Sequence, residues 1–282
     1  MANIALKLER LAEDHGAHVD SLLAGFEKQL QAITTRAQAR TLAELQSRLA
    51  IKNGLIGRSK ENLRTLRSID EIFIAEMEAA GYRQLITAFC KGFPGSLPYF
   101  EGALDLMRQA MKTPIPELRW TKADTSYVAS GQTATADSLS AVVHGVSAVA
   151  QQKALFSLGG LPMADLAELL AQGLQKTIPQ AIRIAETGIS VHYRMIAERG
   201  FQKVEQGLPQ GALKYSYYGP DDKVTRPFCK RLIDAVKEGK LFTRQQIEEM
   251  DNEQLPNPFL TGGGYNCRHT WGLHMAEERE AA

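Results

Sequence analysis

Long apolar runs are missing from this sequence. No stretch approaches the roughly 20 residues that a bilayer-spanning helix needs, so no membrane segment is expected. The N-terminal region does not combine basic residues, an apolar run and a cleavage site, so a water-soluble chain without an export signal is expected. Charge of one sign is also scarce. Lysine and arginine total 33 against 32 acidic residues, a net charge of +1, and no like-charge run exceeds a few residues. Direct DNA binding by phosphate neutralisation is therefore not indicated. Aromatic residues make up 7% and are not interleaved with basic ones, which argues against a platform for single-stranded nucleic acid. Cys90, Cys229 and Cys267 are too few and too scattered for a disulfide framework, and no Cys-x-x-Cys pair exists. Reduced thiols are expected. No phosphate-loop pattern and no His-Glu-x-x-His pair occur. Gly262, Gly263 and Gly264 precede an expected strand, not a helix, and so lack the setting of a nucleotide site.

What is present is helical periodicity. The chain has 282 residues, 44% of them hydrophobic, enough for one large or two ordinary domains. Ile4, Leu8, Leu11, Val19, Leu22, Phe26, Leu30 and Ile33 mostly recur three or four apart, and Leu42, Leu45 and Leu49 extend the stripe. Such a face must be buried, against another chain or against its own. His15 and His18, in or beside the stripe, read as packing or solvated residues. Asn53 and Gly54 break the pattern. Ser59 is suited to cap a second helix carrying Leu63, Leu66, Ile69, Phe73 and Met77. A helix over 104–111 should end before Pro114 and Pro116, Trp120 and Tyr127 fall in an irregular connector, and the small polar stretch 130–135 suits a hinge. Pro162 opens a further helix, which Pro179 should kink or end. The following helix would be interrupted near Gly188 and Gly200.

After Gly207 the character changes. Leu213–Tyr218 alternates as a strand, Gly219 to Asp222 form a turn, and residues 226–236 suit a short helix. Thr243 and Gln246 have capping-box spacing. Residues 265–271 read as a second strand. The expected architecture is mainly α: a helical region over 1–130, a second over 131–206, and a small α+β module over 207–282.

Two clusters of that module can carry chemistry: Asp221, Asp222, Thr225, Arg226 and Cys229, and then Cys267, Arg268 and His269. Their polar side chains, flanked by turn residues, must satisfy one another or a metal, so the two clusters are expected side by side. As a metal site, Cys229, Cys267 and His269 supply the thiolates and imidazole that zinc prefers, with His274, Asp221, Asp222 or water completing four. As a nucleophile site, Cys229 or Cys267 would be the thiolate, His269 the base, and Asp221 or Asp222 its orienter. As a folding clasp, Asp221 or Asp222 would pair with Arg226 or Arg268 while the cysteines pack as small apolar groups. The clasp is the preferred reading, because a small module needs fasteners. No catalytic role and no cofactor are expected, with zinc the alternative.

The order of these pieces resembles the C-terminal part of phage minor head proteins of the Mu F-like head-morphogenesis family. The resemblance rests on Tyr217-Tyr218-Gly219-Pro220-Asp221-Asp222, Thr225-Arg226-Pro227-Phe228-Cys229, a glycine-rich turn and Asn266-Cys267-Arg268-His269, preceded by a helix over 187–198. It covers about the last third of the chain. Many members carry a second cysteine soon after the first and close on Cys-Arg-Cys, where this chain has a single cysteine and Cys-Arg-His. The resemblance implies a virion structural protein made in the host cytoplasm. It would be a low-copy minor head or ejected protein, acting in head assembly near the portal vertex. Its partners would be the portal protein or other virion proteins, in a homo- or hetero-oligomer. The alternatives are a Cys/His-dependent enzyme and a zinc-stabilised nucleic-acid-binding adaptor.

Overall fold

The computed structural model describes residues 2–110, 117–157, 160–209 and 211–275. It is mainly α, with a small α+β region at the C-terminal side. The elements in order are α1 (Ala2–Arg48), β1 (Ile51–Lys52), β2 (Leu55–Ile56), α2 (Lys60–Arg67), α3 (Ile69–Ala79) and α4 (Tyr82–Lys91). A 3-10 turn (Phe93–Ser96) leads to α5 (Leu97–Ala110), α6 (Lys122–Val142), α7 (Ala148–Phe156) and α8 (Met163–Gln206). Then follow β3 (Leu213–Tyr218), α9 (Pro227–Lys237), α10 (Arg244–Glu248), α11 (Pro258–Thr261) and β4 (Thr270–Met275). The expected stop at Pro114 and Pro116 lies outside the described residues. No helix among the described residues is long and apolar enough to cross a membrane.

The chain folds into two compact units, and each is built from separated segments. One takes described residues within 1–20, 93–133 and 186–282, the other 21–92 and 134–185. This differs from the consecutive division at 130/131 and 206/207, because α1, α6 and α8 each run through both units. The expected hinge at 130–135 lies inside α6. Its small polar residues fold their hydroxyls back on the helix, Ser130 Oγ donating to the Tyr127 carbonyl at 2.6 Å. Tyr127 is accordingly helical, not part of a connector. Likewise α8 continues through Pro179, Gly188 and Gly200. A proline removes one intrahelical hydrogen bond, and buried Leu170, Leu174, Ala181 and Ala185 on either side hold the helix together.

The 21–92/134–185 unit centres on Leu45, Leu49, Ile56, Leu66, Ile69 and Ile72, packed with Ala150, Ala154, Leu166 and Leu170. The break after α1 is a two-residue hairpin pairing Ile51 with Ile56. Asn53 and Gly54 both take positive φ, 51° and 75°, as a type I′ turn requires. Ser59 caps α2 through the Asn62 N–H at 3.0 Å. The buried Asn62 side chain accepts from Ala50 N at 2.8 Å and donates to the carbonyls of Ala50 and Gly57 at 3.0 and 2.7 Å. Every polar atom of that amide is thus engaged at the join between hairpin and helix. The expected single helix capped by Ser59 and carrying Leu63 through Met77 is instead two, broken at Ser68. The α1 stripe is buried by its own chain at Phe26, Leu30, Ile33, Ala37, Leu45 and Leu49.

The other unit holds the C-terminal region. Strands β3 and β4 are antiparallel, from Leu213 opposite Met275 to Tyr218 opposite Thr270. Their inner face joins one core with Phe100 and Leu104 of α5, Ile196, Phe201 and Val204 of α8, and Phe259 of α11. Tyr215, Phe259, Trp271 and Phe201 make edge and stacked ring contacts 5.1–6.3 Å apart. The C-terminal region therefore shares a substantial aromatic core with α8 and does not rely on polar fasteners alone. The second strand begins at Thr270, not 265. Asn266 takes φ 54°, and Thr187 Oγ1 bonds its side chain and its N–H, at 3.0 and 3.2 Å, which diverts the chain from any ladder.

Two histidines of this unit give it a pH dependence. Burial, together with the neighbouring His18, lowers the pKa of His15 from 6.5 to about 4. Burial also lowers His192 to about 4, against a smaller upward pull from the Val128 backbone. Both rings fold as neutral groups. Below about pH 6.5 the unfolded chain takes up protons that the folded one refuses, so stability is complete above that pH and is lost as pH falls through about 4. Thermal melts should give a flat melting temperature above neutrality and a declining one on acidification. His192→Leu should flatten the slope. A melting temperature unchanged between about pH 4 and 7 would refute the assignment.

Candidate functional site

The site forms where β3 ends. Pro220 has no N–H to donate, so the ladder stops and the chain turns. The turn is closed by short polar side chains. Thr225 Oγ1 accepts from Asp222 N at 2.9 Å and donates to the Pro220 carbonyl at 3.0 Å, and Asp222 Oδ1 accepts from Val224 N at 3.1 Å. Arg226 then flanks α9 in extended backbone, Pro227 opens it, and Cys229 lies in its first turn. The second cluster follows α11. Gly262, at φ 57°, and Gly263 reverse the chain against the sulfurs. A methyl group on Gly262 would meet Cys267 Sγ at 2.8 Å, and one on Gly263 would overlap Cys229 Sγ. Only glycine lets the backbone approach this closely.

The two clusters meet at their cysteines. Cys229 Sγ and Cys267 Sγ are 3.8 Å apart, and Cys267 Sγ lies 3.6 Å from His269 Nδ1. The ligand atoms of Cys229, Cys267 and His269 all fall within 4.8 Å of one another, and among the described residues they form the group that could hold a metal. Cys267 and His269 precede β4 in irregular backbone, so strand alternation is not what turns them to one side. The links around them are of unequal kind. Arg226 Nη1 donates to the Gly263 carbonyl at 2.8 Å, half-buried. Arg268 lies 2.9 Å from the Asp222 carboxylate, but both are exposed, so solvent screens the pair. Asp221 pairs with neither arginine. Lys237 of α9 takes it at 2.6 Å and holds its pKa below the usual carboxylate range. Thr225 serves its own turn. His274 bonds Ser216 Oγ at 2.9 Å.

Three residues outside the expected set complete the site. Tyr217, at the inner face of β3, places its hydroxyl 3.4 Å from Cys229 Sγ and 3.3 Å from Cys267 Sγ. Arg194 of α8 is buried and donates to the carbonyls of Leu260, Cys267 and His269. Asn252, also buried, donates to the Gly262 carbonyl at 2.8 Å and accepts from the N–H groups of Gln254 and Leu255. A charged residue on the apolar stripe of α8, between Ile189 and Ile196, was the available signal for Arg194. Nothing local marks Asn252.

Electrostatically the cysteines behave as one unit. The hydrogen bond shared with Cys229 lowers the Cys267 pKa, helped by Arg194 and Tyr217. The same shared proton, with burial, raises Cys229. Burial also raises Tyr217 far above its usual value. His269 Nε2 lies 2.8 Å from the Pro220 carbonyl, which only accepts, so Nε2 carries a hydrogen. In the neutral ring Nδ1 is then bare and faces Cys267. The site offers sulfur, imidazole and phenol groups, but little access: Cys229, Cys267 and His269 are 2%, 4% and 3% exposed. That enclosure suits holding a structure together more than admitting a substrate.

Comparison with protein-family models, with curated proteins and with solved structures gives no match to this chain.

The glycine turn gives a direct test of how the cluster supports the fold. Gly263→Ala should force the added methyl into the Cys229 sulfur and destabilise the protein by about 1–3 kcal/mol, the usual range for overpacking. Urea unfolding measures the loss, and limited proteolysis should show earlier cleavage between β3 and β4. Wild-type stability in this variant would mean that the cysteine cluster is not close-packed against the turn.

Proposed function

We propose that this chain is a structural protein of a tailed-phage particle, a minor head or ejected component acting in head assembly near the portal vertex. One observation carries the reading. The segments whose order resembles the head-morphogenesis family are the segments that the fold knots together, with Cys229, Cys267 and His269 turned inward and enclosed. A signature built from enclosed side chains preserves a shape, and a shape is what a particle component must present to its neighbours. A catalytic signature would need a nucleophile open to substrate. On this reading the partners are the portal protein and other virion proteins, and the functional residues of the C-terminal region are fasteners.

The test is biochemical. Particles produced from the genome that encodes the chain are purified and analysed by mass spectrometry, with copy number scaled to the major capsid protein. The chain should be present at a low and fixed stoichiometry. Deleting it should reduce the yield of complete heads or of infectious particles. Its absence from purified particles, with head yield and infectivity unchanged on deletion, would overturn the reading.

A further inference from the structure

We propose that Cys229, Cys267, His269 and Tyr217 bind one zinc ion, through both sulfurs, Nδ1 of His269 and the Tyr217 phenolate oxygen. Nothing in this geometry depends on the chain's entering a particle. The first argument is distance. With zinc–sulfur bonds of about 2.3 Å and zinc–nitrogen or zinc–oxygen bonds of about 2.0–2.1 Å, a tetrahedral site has edges of roughly 3.8 Å between sulfurs, 3.6 Å between sulfur and nitrogen, and 3.5 Å between sulfur and oxygen. The observed separations are 3.8 Å for Cys229–Cys267, 3.6 Å for Cys267–His269, and 3.4 and 3.3 Å from the Tyr217 oxygen to the two sulfurs. Cys229 and His269 are also within 4.8 Å, close enough for a metal to draw them together.

The second argument is the set of atoms that face one another. Two sulfurs, a bare ring nitrogen and a hydroxyl oxygen converge, all bearing lone pairs. In the metal-free chain hydrogen bonds link these atoms only in pairs, Cys267 Sγ with Nδ1 of His269 among them. A cation at the centre satisfies all four.

The third argument is the outer partners, which fix ligands as they do in zinc sites. The Pro220 carbonyl takes the hydrogen on Nε2 of His269 and so directs Nδ1 inward. The Gly263 N–H donates to Cys267 Sγ at 3.0 Å. Arg194 holds the carbonyls of Cys267 and His269, both ligand residues. Charge also balances. Zinc with two thiolates, a phenolate and a neutral imidazole sums to −1, and the buried Arg194 guanidinium brings the total to zero. The protons that the sulfurs and the phenol carry in the metal-free chain are released to solvent on binding. Mixed thiolate and imidazole at tetrahedral spacing selects zinc over magnesium or calcium, which take oxygen ligands in larger shells.

The experiment titrates the purified full-length chain, reduced and stripped with chelator, with zinc alone, and counts bound metal by mass spectrometry after gel filtration. One zinc per chain is expected, with Cys229 and Cys267 protected from alkylation and Cys90→Ser still binding one. Cys267→Ser should bind none. Tyr217→Phe should weaken binding about 10–100-fold, the range for losing a group that orients a ligand or more, and should change the visible spectrum of the cobalt form. The alkylation measurement uses the wild-type chain and so does not depend on any variant folding. A stripped chain that takes up no zinc, or that isolates with a Cys229–Cys267 disulfide which on reduction still binds none, would overturn the metal. A Tyr217→Phe protein with wild-type affinity and an unchanged cobalt spectrum would overturn the fourth ligand.

Discussion

A guanidinium does not give up its charge under any condition a protein meets, so burying one fixes its surroundings. Arg194 is buried in the C-terminal third of α8, and its donors reach carbonyls of Leu260, Cys267 and His269, 66–75 residues away in sequence. Unsatisfied buried carbonyls cost about 1–3 kcal/mol each, so arginine and loop need each other. The loop between α11 and β4 has no ladder of its own to occupy its backbone, and among the described residues no carboxylate forms a salt bridge with the arginine. Their pairing sets where Cys267 and His269 lie, and through them the whole cluster.

The same stretch of α8 serves the rest of its unit in the same way. One turn beyond Arg194, Glu198 accepts from the Tyr127 hydroxyl at 2.9 Å. Arg199 and Lys203 clamp the buried Asp124 of α6 at 2.6 and 2.7 Å. Glu205 takes Arg244 at 2.7 Å, and that arginine also lies 4.6 Å over the Phe259 ring. Between these polar contacts, Ile196, Phe201 and Val204 enter the aromatic core. One helix thus carries an apolar stripe that supplies burial and a polar stripe that selects which segments pack on it. Hydrophobic burial alone has no direction. The charged partners give α6, β3 and α10 distinct places, since a wrong neighbour would leave a buried charge unpaired.

The enclosed cluster follows from this frame. Glycine at 262 and 263 allows the chain to close over the sulfurs, and Tyr217 closes the remaining side from the strand. A proton shared between two thiols, or a metal replacing it, sits against a fixed positive charge in a poorly solvated place. Such a site is strong when complete and weak when one member is lost, because low local polarity magnifies both the attraction and the penalty.

Local chemistry made much of this legible in advance. Strand β3, the Thr243–Gln246 capping box, the Ser59 cap and the start of α9 near Arg226 depend on residues within a few positions of one another, and the sequence determined them. It also determined the mainly α class, through apolar spacing, and named Cys229, Cys267 and His269 as the groups of interest. Other features required the folded chain. Residues 130–135 look like a hinge, and Pro179 looks like a stop, until packing along both sides holds α6 and α8 continuous. Asp221 could pair with either arginine on paper, and Lys237 on the neighbouring helix takes it. Arg194, Tyr217 and Asn252 belong to the site only because distant segments bring carbonyls and sulfurs to them. Periodicity and capping are short-range and can be read along the chain, whereas the partner of a buried polar group is whatever the tertiary fold places within three to four ångströms of it.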